Sequence, residues 1–257
     1  MQELKGIKTG FDDLDDTIGG FENGHLIMLC GRPSIGKTAF VMSLIDAICV
    51  KETKAVLYFS LEMDKQQFAS RVLMMKAGVT NKGELKDEEW TRLAATVEEL
   101  SNSKLWIDDT TGITIDMIKE KTERFVQEKS VDLVVIDYLQ LIDSGIDMET
   151  RDEEIAYIIE NLKKLAISVD KPVLVLSQLA HSMHKENYPS LDDIKAYKSI
   201  SPFLDDIILM YRDDYYDKDS PLQGICELEI AKPEKSRGKV VKIFFDRSHL
   251  RFENITN

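Results

Sequence analysis

The sequence predicts an α/β domain: a mostly parallel central sheet flanked by helices, with a C-terminal antiparallel β-hairpin. Short apolar runs alternate with helical stretches along the first 210 residues. One of these runs, Val131-Asp132-Leu133-Val134-Val135-Ile136, is nearly continuous, the mark of a parallel strand covered on both faces. The last third then changes character, because 225–231 and 240–245 are β-rich with no helix between them.

Taken in order, 7–24 are acidic and punctuated by glycine, and Phe11, Leu14 and Ile18 at helical spacing predict a short amphipathic turn. The run 26–30 is a first buried strand, and the apolar stretch 39–50 a helix. Residues 55–60 give a second strand, 65–76 a helix, and 78–83 a polar break. Residues 87–100 read as an amphipathic helix with Trp90, Leu93, Ala94 and Val97 on one face. A short strand at 105–107 ends on Asp108-Asp109, and Thr114 opens a helix to about Glu128. After the strand 131–136, residues 143–152 read as a mobile acidic loop and 153–169 as a long helix. Strands at 172–176 and 207–211 bracket a polar loop at 181–192 that carries Pro189. No repeat, low-complexity tract or linker divides the 257 residues, so one domain is expected over 1–257.

Composition narrows the function classes. Hydrophobic content of 43% with 31% charged residues is ordinary for a globular protein, and no stretch has the apolar length of a membrane span. Cys30, Cys49 and Cys226 are widely spaced and mostly apolar in context, which suits core thiols and not a disulfide frame. His25, His181, His184 and His249 lack metal-ligand spacing with them. A formal charge of −13 argues against coating nucleic acid with the whole surface, while leaving room for a local basic groove.

The chemistry concentrates at Gly31-Arg32-Pro33-Ser34-Ile35-Gly36-Lys37-Thr38, a G-x-x-x-x-G-K-T loop between a strand and a helix. Glycines let the backbone N–H groups curl around phosphates, and the following helix aims its positive end at the same charge. Lys37 would reach the β- and γ-phosphates and Thr38 would hold Mg²⁺, so a nucleoside triphosphate site is expected. Ligands of parallel sheets collect at the carboxyl ends of strands. Asp137 ends the strand 131–136 and fits the acid that holds magnesium, with a helix or turn cap as the bland alternative. Glu62, after the strand 55–60, is either a general base for the attacking water or a solvated glutamate at a helix start, and spacing does not decide. Gln178, after the strand 172–176, is placed to hydrogen-bond a γ-phosphate.

Six segments in order then carry a family resemblance. They are Thr9-Gly10-Phe11 with Leu14-Asp15, the loop 31–38, Phe59-Ser60-Leu61-Glu62-Met63, Ile136-Asp137-Tyr138-Leu139-Gln140-Leu141, Leu176-Ser177-Gln178-Leu179 and Tyr211-Arg212-Asp213. Together they resemble the C-terminal motor domain of DnaB-type replicative helicases over almost the whole chain. The resemblance implies a RecA-like fold, assembly into a hexameric ring, ATP hydrolysis between subunits with Mg²⁺, and translocation on single-stranded DNA during replication. It makes Glu62 the catalytic base, Asp137 the metal acid and Gln178 the γ-phosphate sensor. It also implies a cytoplasmic protein of a bacterium or phage, working with a replicative helicase, loader or primase. The opening segment 9–15 is shared with RecA-like recombination and clock-type ATPases, but Ser-Leu-Glu-Met with Asp-Tyr-Leu-Gln-Leu argues against them.

Three departures from the family pattern stand out. The family's arginine finger lies in a Lys-x-Arg segment where this chain has Lys232-Pro233-Glu234, leaving Lys235 and Arg237 as substitutes across a subunit boundary. The DNA-contacting segment reads Asp193-Ile194-Lys195-Ala196-Tyr197-Lys198, then Ile200-Ser201-Pro202-Phe203, and only Lys195 and Lys198 keep charge for phosphates. The loop 181–192 offers His181, His184 and Lys185. The family's N-terminal domain and most of its linker helix have no counterpart in residues 1–6, so weak self-association is expected. These departures raise an alternative: a degenerate paralogue that binds ATP and modulates an intact helicase.

Overall fold

Strand alternation sets the architecture. In β1 (Leu26–Gly31), Ile27 and Leu29 join one core cluster while Leu26, Met28 and Cys30 join the other. A strand with period-two side chains can be apolar throughout only when both faces are covered. The computed structural model describes residues 4–80, 85–179 and 188–255. Its nine strands form one sheet in the order β3-β2-β4-β5-β1-β6-β7-β8-β9. The parallel members are β1, β2 (Val56–Ser60), β3 (Leu105–Asp108), β4 (Leu133–Asp137), β5 (Val173–Gln178) and β6 (Asp206–Tyr211). Antiparallel β7 (Ile225–Lys232), β8 (Lys239–Asp246) and β9 (Arg251–Glu253) complete it.

Helices cover both faces. Short α1 (Asp12–Ile18), then α2 (Lys37–Ile45) and α3 (Lys65–Ala77), supply residues to the core that holds Ile27 and Leu29. On the opposite face lie α5 (Ile115–Lys129) and α6 (Arg151–Val169). Their starts carry the expected caps. Asp64 accepts from the Gln67 N–H at 2.8 Å, and Thr150 and Glu153 form a reciprocal capping box. All three cysteines are buried, and burial pushes the Cys30 and Cys49 thiols up to about 12, as core thiols require.

The expected C-terminal antiparallel hairpin is present as β7 and β8, and the brief β9 extends it, pairing Phe252 with Phe245 and burying it against Phe40. Two other expectations are corrected. The apolar face assigned to α4 (Asp87–Ser101) is largely exposed: Trp90 is 60% and Val97 48% accessible, while Thr96 is the buried residue. This helix lies outside the sheet layers, packed on α3, and Arg92 fastens it by donating to the Ala77 carbonyl at 3.0 Å. Residues 143–152 are not a loose loop. Asp143 exchanges backbone hydrogen bonds with Ile113 and Ile115, and Ser144 is buried with its hydroxyl on the Ile146 carbonyl at 2.7 Å.

Candidate nucleotide site

Strand order puts the loop 31–38 in a crevice. β1 lies between β5 and β6, and the connection from β1 to β2 crosses β5 and β4, while that from β5 to β6 crosses β1. Connections from the neighbouring strands β1 and β5 therefore run in opposite directions, which opens a crevice at their carboxyl ends. Two positions in the loop are constrained. Gly36 sits at φ 116°, and a Cβ there would stand 3.1 Å from the Phe252 ring. At Gly31, the last residue of β1, the constraint is space and not backbone angle: a Cβ would approach the Ile35 side chain to 2.9 Å, so Ile35 would have to shift.

The cleft above this loop has a volume of about 650 Å³, enough for a nucleotide. Lys37, Thr38, Glu62, Asp137 and Gln178 all line it, because the strand order brings the ends of β2, β4 and β5 together beside the loop. Lys37 is buried and folds back over the loop, its ammonium donating to the Gly31 carbonyl at 2.9 Å and the Arg32 carbonyl at 3.1 Å. Burial pushes its pKa below the ordinary lysine value, and the charge of Asp137 opposes that. Thr38 donates from Oγ1 to Asp137 Oδ2 at 2.8 Å. Asp137 is 2% exposed, and burial raises its pKa against hydrogen bonds from Tyr58 and Thr38 and the charge of Lys37.

Glu62 is exposed at the cleft wall, just before the α3 cap. Gln178 is exposed at the tip of β5, where Gln140 clamps the backbone, its amide donating to the Gln178 carbonyl and its carbonyl accepting the Gln178 N–H. A buried carboxylate beside a hydroxyl is a hard-oxygen donor set, which suits Mg²⁺ completed by phosphate oxygens and water. Among the described residues no group of three or more His, Cys, Asp or Glu gathers to hold a metal unaided.

The other candidates lie apart. Lys232 is half-buried, its ammonium donating to the Ser201 carbonyl at 2.8 Å and to that of Leu204. Glu234 and Arg237 are exposed and paired at 3.1 Å, and Lys235 is exposed beside them. This turn is at the amino ends of the parallel strands, because Lys232 pairs with Ile207 at the start of β6. It is therefore a strand length from the chain's own phosphate loop. Lys195 and Lys198 are exposed on the segment after β5, which Asp193 ties to Arg32 of the loop at 3.0 Å. His181, His184 and Lys185 lie outside the described residues.

Sequence reasoning missed several wall residues. Arg71 of α3 lines the cleft, and so does Arg212, which stacks 3.9 Å over Phe245, donates to the Ile35 carbonyl and pairs with buried Asp214. Tyr58, which donates to Asp137 Oδ2 at 2.6 Å, was missed as well. Tyr58 lies behind the wall, and both it and Arg212 needed the sheet order: only the pairing of Ser60 with Asp137 puts Tyr58 on the carboxylate's face.

The family model for the DnaB-like helicase C terminal domain matches residues 6–254. The replicative DNA helicase DnaB of Geobacillus stearothermophilus is 38% identical over 98% of this chain and 57% of its own length. The Bacillus subtilis replicative DNA helicase DnaC is 36% identical with the same coverage. The chain thus spans under two thirds of the curated relatives it matches. Among solved structures, one ATPase domain superposes with a TM-score of 0.93 at 29% identity, covering 99% of this chain and 93% of that one. A DnaB-like replicative helicase studied with primase gives 0.92 at 29% identity, covering 99% and 63%.

Proposed function

This chain belongs to the family of DnaB-like helicase C-terminal domains, and from that premise we propose that it binds MgATP at the loop 31–38 and hydrolyses it to drive movement along single-stranded DNA. The observation that carries the reading is the 2.8 Å bond between Thr38 Oγ1 and buried Asp137, directly behind the lysine of the loop. Lys37 would leave its two carbonyls for the β- and γ-phosphates, exchanging neutral acceptors for charged ones. Thr38 and Asp137 would hold magnesium, which supplies charge to the phosphoryl oxygens. Glu62, exposed to the solvent that must supply the attacking water, acts as general base. Gln178 senses the γ-phosphate, its backbone held at the tip of β5 by the Gln140 clamp.

Across the sheet, Lys235 and Arg237, with Lys232 if it leaves its two carbonyls as Lys37 would, serve a neighbouring copy's nucleotide, which makes ring assembly part of the reading. Replication partners such as a loader or primase follow from the same premise. Steady-state hydrolysis with and without single-stranded DNA, run beside nucleotide binding, is the test. Lys37→Ala should abolish nucleotide binding. Glu62→Gln should retain it while lowering turnover about 10²- to 10⁴-fold. Turnover that survives Glu62→Gln, or is indifferent to DNA, contradicts the proposal.

A further inference from the structure

Tyr58 is fully buried at the centre of β2, yet carries a hydroxyl that the apolar core cannot satisfy. Ser60 pairs with Asp137, and Tyr58 with Val135, so Tyr58 and Asp137 are diagonal neighbours on one face of the sheet. That is the reach of a phenol across adjacent strands. The ring is fixed from behind by Phe68 of α3, stacked at 3.9 Å between centroids and 21° between planes. Its oxygen then lies 2.6 Å from Asp137 Oδ2, the oxygen that also accepts from Thr38. Asp137 Oδ1 receives no donor among the described residues.

These two donors differ in kind. The Thr38 hydroxyl is itself a magnesium candidate, so its bond to Asp137 is not independent of the metal. Tyr58 comes from the core side and is independent. Outer partners of this sort orient a liganding group and commonly govern metal affinity. We infer that Tyr58 is a positioning residue for the magnesium carboxylate: its phenol pins Oδ2 of Asp137 from the core side and so fixes the orientation in which the carboxylate would meet the metal. The inference rests on the MgATP reading above and adds to it an element of metal affinity seated in the core.

The test uses binding and not turnover. A fluorescent ATP analogue is titrated onto the intact chain in EDTA and then across magnesium concentrations. Wild-type protein should bind more tightly as magnesium rises; if it binds no nucleotide at all, the functional reading itself fails. Tyr58→Phe keeps the ring and its stack but removes the donor. It should leave metal-free affinity unchanged and raise the magnesium midpoint about ten-fold or more. Phe68→Leu disturbs packing and keeps the hydroxyl, so it should lower the melting temperature and leave the midpoint in place. An unchanged midpoint in Tyr58→Phe, or an equal shift in Phe68→Leu, overturns the inference. Should Tyr58→Phe not fold, site-specific fluorotyrosine at position 58, a stronger donor, should lower the midpoint; no shift overturns the inference in that case too.

Discussion

Burial makes the charge on Asp137 expensive, and its neighbours answer with two hydroxyl donors and an ammonium. At this scale the chemistry depends on individual groups, and so do its departures from the family pattern. Glu234, at the position where the resemblance implies an arginine finger, is exposed and paired with Arg237, and a carboxylate there would oppose transition-state charge. Glu234→Arg should raise the DNA-stimulated ATPase rate at least about ten-fold, a modest fraction of what such fingers supply; no gain would remove this turn from the mechanism. His25 gives a pH prediction. Its ring is held by Asp206 at 2.9 Å, with Asp205 and Glu22 nearby, and this raises its pKa above the ordinary 6.5. A folded-state value above the unfolded one stabilises fully below pH 6.5 and is lost as pH climbs through the folded value. The urea midpoint of His25→Asn should therefore fall short of wild type clearly at about pH 6, and the gap should shrink by about pH 8.5.

Elements hold these groups in register. The reciprocal box at the start of α6 satisfies two backbone donors, so Thr150→Ala should lower stability by about 1 kcal/mol while leaving ATP affinity untouched. Between elements, Arg32 of the phosphate loop is almost wholly buried and its guanidinium grips Asp193. Asp193→Asn should speed amide exchange across 190–200, because a neutral amide cannot reproduce the charge-assisted bond. Local chemistry made most elements readable: continuous apolar runs announced β1 and β4, and Asp64 and Thr114 begin helices as cap residues should. The same reading failed for α4. Helical spacing places Trp90 and Val97 on one side, but α4 packs on its sequence neighbour α3 and not on the sheet, so that side stays in solvent. β9, only three residues long, is formed by its pairing to β8 and leaves no periodic trace.

At the level of the whole molecule, the sheet separates the two candidate sites by a strand length. Nucleotide groups collect at the carboxyl ends of the parallel strands, and the turn 233–238 sits at their amino ends. The phosphate loop was legible because loop, strand and helix are contiguous. The convergence of Glu62, Asp137 and Gln178 needed the order β2-β4-β5-β1, which the chain does not spell out locally. That geometry demands a second copy for any contribution from Lys235 or Arg237, so turnover per chain should rise with protein concentration as copies associate. The most direct check of the account is calorimetric titration of ATP, with and without magnesium, into wild-type protein and Asp137→Asn. Magnesium should tighten binding to the wild type and have little effect on the variant. Equal magnesium dependence in the two proteins, or no nucleotide binding by either, would contradict it.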